Sequence, residues 1–467
     1  LILQIRSKTH LSRNDAAPGQ AQPNNKRWHL GHADRKEEVR AMGTPADVPL
    51  ARTVYRIASS GRMDLCRQTI KERRAWPAPM PAPPDIAAHA EITSAARAML
   101  RWVERGQEFW ACGGIPASYN ARKRRYDGPY PETTGYSIPT LIELGSRAGF
   151  READVMARKA ADWLVSRQSN AGDIRCNIET PPTGDGGADQ IVLFDCGAIL
   201  QGFTAMARRA DAYSDPTERL ARFLVDAQRA DGLWDSYLAF EHFGSHNALV
   251  AYALIDAGST LNAPHFTEAG HRCLNALRGR LHKNGYIEGC EFPGVRQGVA
   301  FLHPFVYTIE GYLKAAGLAP DRGYFDAVRP ALDALRDGIA RTGQIPGAFV
   351  QPDMSTSCSF TALTAIAQLA DVGFRADQLS GENSYTDMSR QLMRFLRQVL
   401  DKTLTDAAWQ GGLPSAYPID AEYLPFCVNN WGAKYFLDAS MGELNALQPV
   451  LSSTPIPQRA AIPQGVT

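Results

Sequence analysis

Several things are scarce in this 467-residue chain, and each scarcity excludes something. No stretch approaches the roughly 18 uninterrupted apolar residues of a membrane-spanning helix, so no membrane span is expected. Long alternating runs of β-branched residues are missing, which argues against strand-rich folds. No cysteines form a CxxC. Cys66, Cys112, Cys176, Cys196, Cys273, Cys290, Cys358 and Cys427 are widely spaced and read as reduced thiols, mostly core filler, in a cytoplasmic protein. An excess of one charge is lacking too, since the formal net charge is +1. That figure hides an asymmetry. Residues 1–75 carry 15 Lys and Arg against 7 Asp and Glu, which leaves the remainder at −7. A nucleic-acid platform on the main body is therefore not expected.

Residues 1–75 also lack a sustained hydrophobic period and are rich in turn formers. They are expected to be a basic, disordered N-terminal segment. The stretch AWPAPMPAPPDI, which ends at residue 86, reads as an extended proline-rich linker over 76–86. The folded domain is placed at 87–445, with a flexible tail at 446–467.

What the chain does have, from Ala87 onward, is helical periodicity of two alternating kinds. Segments at 87–109, 151–168, 216–229, 264–281, 322–342 and 384–404 are amphipathic, with apolar residues at three- and four-residue spacing and charge opposite. Segments at 134–149, 195–210, 245–258, 303–317, 356–373 and 428–441 are poor in charge and rich in Ala, Gly, Leu and Ile. Low charge all round is the mark of a helix buried on most sides. Six of each, in alternation, predict an all-α fold: an (α/α)6 toroid of six helical hairpins, with the low-charge helices as the inner ring. The connections agree. The step from inner to outer helix is short, as at 149–150. The reverse step is long and carries a glycine turn followed by aromatic or polar residues, as in GGIPASYN (113–120), ADGLWDSY (230–237) and QGGLPSAY (410–417). Together these form a degenerate repeat with a period of about 60 residues.

All the long connections precede inner helices, so they gather at one end of the ring. The same end collects the inner-helix N-termini, whose unpaired N–H groups and partial positive charge favour acceptors and anions. YPETTGY (130–136) runs into the first inner helix. There Thr133 or Thr134 reads as an N-cap, with Glu132 complementing the helix terminus. The other reading makes Glu132 an acid or base, with Tyr130 and Tyr136 as stacking surface. Later inner-helix starts bring Asp195, then His246 with Asn247, then His303 with Tyr307, then Asn430 with Trp431. Each reads as a cap or core residue, or as a ligand contact. Glu310, if it faces the interior, is expected to be paired or shifted in pKa. Tyr119, Asn120 and Trp234 lie in long connections. The basic run from Arg122 to Arg125 reads as a solvated loop or as an anion clamp. Aromatic rings with polar tips, among Asn, Asp, His and Ser, suit a sugar better than an isoprenoid.

On this hairpin repeat, over about residues 87–445, the chain resembles the α/α-toroid superfamily. That group comprises six-hairpin glycosidases, toroidal polysaccharide lyases, uronate epimerases, and the terpenoid-cyclase and protein-prenyltransferase toroids. QRADGLW (228–234) is similar to the QxxxGxW repeat of squalene-type cyclases, but the acidic DxDD run those cyclases use as proton donor is absent. Prenyltransferase β subunits hold zinc with Asp, Cys and His. Asp353 and Cys358 have the wrong spacing for that, so neither a metal nor another cofactor is expected. YPETTGYSIPTLIELG looks like toroid proteins that accompany bacterial surface-polysaccharide synthesis.

The resemblance implies an enzyme whose partner is an oligo- or polysaccharide. Hydrolysis needs two carboxyl groups across the scissile bond, and Glu132 with Asp195 is the candidate pair. Elimination or C5 epimerisation of a uronate needs a base beside the carboxylate and donors for the enolate. His246, His303 and Tyr307 are candidates for the base or acid, with Asn120, Asn247, Asn430 and Arg122 to hold the carboxylate. Tyr119, Tyr130, Tyr136, Trp234 and Trp431 complete the expected binding surface. Uronate chemistry is slightly favoured. A terpenoid-cyclase or prenyltransferase-like toroid and a non-catalytic glycan-binding scaffold stand as alternatives.

Overall fold

The computed structural model describes residues 63–76, 79–81, 89–147, 149–176, 190–239, 242–291, 298–357, 359–402 and 407–447. After helix α1 (Met63–Ala75), the amphipathic segments form α2 (His89–Trp110), α4 (Glu152–Arg167), α6 (Ser214–Asp226), α8 (Pro264–Leu277), α10 (Tyr324–Thr342) and α12 (Thr386–Lys402). Between them lie α3 (Pro131–Gly145), α5 (Leu193–Ala207), α7 (Ala248–Leu261), α9 (Leu302–Leu318), α11 (Leu363–Ser380) and α13 (Asn430–Asn445). The two kinds differ as their composition requires. In α6, Leu220, Ala221 and Leu224 are buried, while Arg219 pairs with Asp215 at 2.9 Å on the solvent side. In α5 nearly every residue is buried, from Leu193 to Ala207.

Each low-charge helix packs against the next, from α3 through α5, α7, α9 and α11 to α13, and α13 packs back against α3. The circle is closed. The amphipathic helices surround it, each against the inner helix before it, and α2 completes the pattern by packing on α13. The fold is thus an all-α toroid of paired helices. Among the described residues no helix is long and apolar enough to cross a membrane.

Two devices join neighbouring outer helices. At the ends of α2, α4 and α6 stand Gln107, Gln168 and Gln228. Each amide Nε2 donates twice: to a carbonyl in its own following turn (Gly113, Gly172, Gly232) and to one on the next outer segment (Met156, Pro216, Ala269), at 2.7–3.1 Å. Most of the turn glycines press directly on the next outer helix. At the last of them, Gly411, φ is +87° and an added Cβ would stand 2.3 Å from Ala98 O of α2.

The long connections also pair with one another through strands too short to carry a sequence period. Strands β1 (Ser118–Asn120), β2 (Arg125–Tyr126) and β8 (Cys427–Asn429) form one sheet in the order β2-β1-β8. Its register, Ser118↔Asn429 and Tyr119↔Val428, ties the first connection to the last. A second sheet has the order β3 (Ala300–Phe301), β4 (Phe349–Val350), β5 (Thr356–Ser357), and β6 (Thr361–Ala362) pairs with β7 (Ala416–Tyr417).

Three expectations need correction. Residues 63–75 are not disordered but form α1, because tertiary contacts override their weak period: Leu65 is fully buried, Glu72 accepts from Ile419 N at 2.7 Å, and Arg73 pairs with Asp420 at 3.0 Å. Residues 1–62 lie outside the described residues, as do 77–78 and 82–86 of the linker, 87–88 at the start of the domain, Cys358, and 448–467 of the tail. The Thr133 or Thr134 cap is replaced by an earlier start. Pro131, with its preset φ, takes the first helical position. Thr134 Oγ1 instead donates to Tyr130 O at 2.8 Å and accepts from Ile115 N at 2.9 Å. Finally, the fifth inner helix begins at Leu363, not near 356, because β5 and β6 occupy the stretch before it.

Candidate functional site

The first turns of the inner helices meet in one buried cluster, the basin. Tyr130, immediately before α3, donates its hydroxyl to Asp195 Oδ2, in the first turn of α5, at 2.5 Å. Phe194, beside Asp195, touches the His246 ring edge-on at 5.1 Å and the Tyr307 ring at 4.8 Å. His246 lies in the single turn Ser245–Asn247 that leads into α7, and Tyr307 is on α9. His303, one turn earlier on α9, places Nδ1 2.9 Å from Gln368 Oε1 of α11. Trp431 of α13 returns to Tyr130, ring to ring at 6.2 Å. Glu132, on the first turn of α3, is at the electrostatic centre: its charge acts on Asp195, Tyr130, Tyr136, Tyr307 and Tyr423.

Burial sets the protonation states. It pushes Asp195 upward, and repulsion from Glu132 adds to the rise, to about 8. Burial also raises Glu132. The phenols of Tyr130, Tyr136 and Tyr307 are pushed up by burial and then by neighbouring ionisable groups, so they stay neutral donors. Burial lowers His246 to about 4, with Arg280 contributing, and lowers His303 to about 3. Both imidazoles are neutral at neutral pH.

Behind the basin is an ionised group. Burial alone would raise Glu310, but Lys314 at 2.7 Å and Lys434 at 3.6 Å outweigh it and hold the carboxyl well below its usual range. Gln368 Nε2 and Tyr435 OH each donate to Glu310 Oε2 at 2.8 Å. The pairing expected of an interior Glu310 is present.

Other sequence candidates have structural employment. Asn120 Oδ1 accepts from the backbone N–H groups of Arg122 and Lys123, capping the turn between β1 and β2. Arg122 is exposed at that turn, with its guanidinium over the Phe426 ring at 5.6 Å. Tyr119 packs edge-on against Tyr126 at 5.1 Å, and Tyr126 packs on Trp102 of α2. Trp234 donates its indole N–H to Leu224 O at 2.8 Å and stacks on Phe243. With Gln228 as a clamp, QRADGLW is a turn-locking motif. Asn247 Nδ2 donates to Gly244 O at 2.9 Å, and Asn430 Nδ2 to Pro116 O at 2.6 Å. Conversely, sequence reasoning did not single out Gln368 or Tyr435. Tyr435 follows Trp431 by four residues and so shares its helix face. Gln368 is an uncharged amide inside the apolar run LTAIAQLA, a signal for a buried polar contact. Among the described residues no three His, Cys, Asp or Glu side chains converge as metal ligands.

No protein-family model and no curated protein matches the chain. Solved structures do. A D-mannose isomerase superposes with a TM-score of 0.61 at 11% identity, covering 78% of this chain and 100% of that one. The unsaturated glucuronyl hydrolase of Bacillus sp. GL1 gives 0.56 at 14% identity, with 75% and 96% covered. A polysaccharide lyase gives 0.53 at 11% identity, with 79% and 100% covered. The chain therefore has an all-α toroid fold, similar to the folds of these structures.

Proposed function

We propose that the basin performs acid/base chemistry on a saccharide, with Asp195 as proton donor and Glu132 as its ionised partner. The carrying observation is Asp195 buried against Glu132 and raised to about 8. At neutral pH Asp195 keeps its proton; burial raises Glu132 as well, and we assign it the carboxylate role because its charge adds to the rise at Asp195. A proton-donating carboxyl beside a second carboxyl is what glycosidic-bond hydrolysis uses. Elimination or epimerisation needs a base instead. His246 and His303, at about 4 and about 3, are weak bases, and phenols pushed upward are weaker in their accessible form. Electrostatics thus favours hydrolysis over the uronate chemistry preferred from sequence.

The saccharide class is supported by rings with polar tips, Tyr130, Tyr136, Tyr307 and Trp431, beside carboxyls. An isoprenoid would leave those polar groups desolvated and unpaired. The names of the matching structures, a glucuronyl hydrolase, a mannose isomerase and a polysaccharide lyase, point to the same class. The test is incubation with neutral and uronate-containing oligosaccharides. New reducing ends without the ultraviolet absorbance of an unsaturated uronide support the reading. Growth of that absorbance, or exchange of the C5 proton with solvent and no cleavage, would establish elimination or epimerisation in its place.

A further inference from the structure

His303 is fully buried in the first turn of α9, and burial keeps its ring neutral. A neutral imidazole carries its proton on Nδ1 or on Nε2, and the hydrogen-bond network decides which. Here the network leaves one choice. Glu310 is ionised by Lys314 and Lys434, so it only accepts. Gln368 must therefore present its NH₂ to Glu310, at 2.8 Å, which turns its amide oxygen toward His303 Nδ1 at 2.9 Å. An amide oxygen only accepts, so Nδ1 carries the proton. Nε2 is left with a bare lone pair. That atom is buried and has no hydrogen-bond partner among the described residues. The Tyr307 and Tyr435 rings stand 4.3 and 6.2 Å from the His303 ring.

We propose that His303 Nε2 is a fixed hydrogen-bond acceptor for a sugar hydroxyl, and that Gln368, Glu310 and Lys314 are positioning residues that lock the ring in the Nδ1–H tautomer. The sugar hydroxyl rests on the saccharide reading above; the tautomer lock does not. A buried acceptor without a partner is costly unless a ligand or water completes it, which is why such an atom marks a contact point.

The experiment is ring-nitrogen NMR on the full chain labelled with ¹⁵N-histidine, with the His303 signals identified by their loss in His303→Gln. The wild-type protein is expected to show Nδ1 protonated and Nε2 bare. In Gln368→Leu the ring is expected to shift toward the Nε2–H form. A wild-type ring already protonated at Nε2 overturns the lock and needs no folded variant. A Gln368→Leu ring that keeps its wild-type pattern overturns the role of Gln368. Glucose and glucuronic acid are then titrated in as probes. Movement of the Nε2 resonance with either supports the acceptor role. Movement of other site resonances with Nε2 unchanged overturns that role alone. No response anywhere, with no cleavage in the oligosaccharide assay, counts against the saccharide reading and leaves the tautomer result standing.

Discussion

A carboxyl that keeps its proton to about pH 8 makes the native state pH-sensitive, and Asp195 does so in a defined direction. Its folded pKa lies above the ordinary value of 3.8. The stabilisation it contributes is complete below that ordinary value and is lost as pH rises through the folded one. Asp195→Asn removes this dependence and can still accept from Tyr130. Its thermal midpoint should gain on the wild type as pH is raised from about 4 to about 8, while activity falls about 10²–10⁴-fold. Calorimetry across that range tests the first half, and a pH-independent difference would refute the assigned titration. The same group gives wild-type activity a falling limb near pH 8, where the donor loses its proton. Arg122→Ala, by contrast, should change kcat/KM less than about twofold, since an exposed side chain at a hairpin turn has little to lose. At this scale the sequence was only half legible. That Glu132 and Asp195 stand at inner-helix starts could be read from the sequence. Asn120 and Asn247 could not be told from ligand contacts, because a turn cap and a cleft amide are the same residue in the same kind of loop.

Helices were legible where a long apolar period repeats, and the twelve toroid helices lie close to the segments read from it. Elements of two or three residues carry no period, so the β ladders and the late start of α11 were invisible. The joints between outer helices make the sharpest energetic test. Gly411 and Gly343 both have positive φ, +87° and +61°, but only Gly411 faces backbone; a Cβ on Gly343 meets nothing within 4 Å. Gly343→Ala should cost about 1 kcal/mol of backbone strain. Gly411→Ala adds a clash with Ala98 O and should cost more than about 2 kcal/mol. Urea unfolding of the two variants measures the difference, and equal costs would mean that the last turn does not bear on α2. Gln228→Leu, which strips a donor from the carbonyls of Gly232 and Ala269, should cost about 1–3 kcal/mol in the same assay.

For the molecule as a whole, alternation and loop length were enough to give a six-hairpin ring, because both follow from burial and chain connectivity. Which loop side chains would face the basin was not encoded in either, and α1 was hidden because only contacts from distant residues hold it. Removing the chain from Asn430 onward should abolish the folded state altogether, as seen by near-ultraviolet circular dichroism. An open stack of repeats would lose one unit and keep the others.

The seam between α2 and α13 has a temporal meaning as well. Helix α2 is the first helix of the ring to be made, with Ile92, Met99, Leu100 and Val103 on the face it will bury, and the partner that receives it is the last helix of the ring. Nearly the whole domain must be translated before that apolar stripe is covered. The nascent ring thus carries a sticky flank until its last helix is made, the circumstance in which holding chaperones matter most.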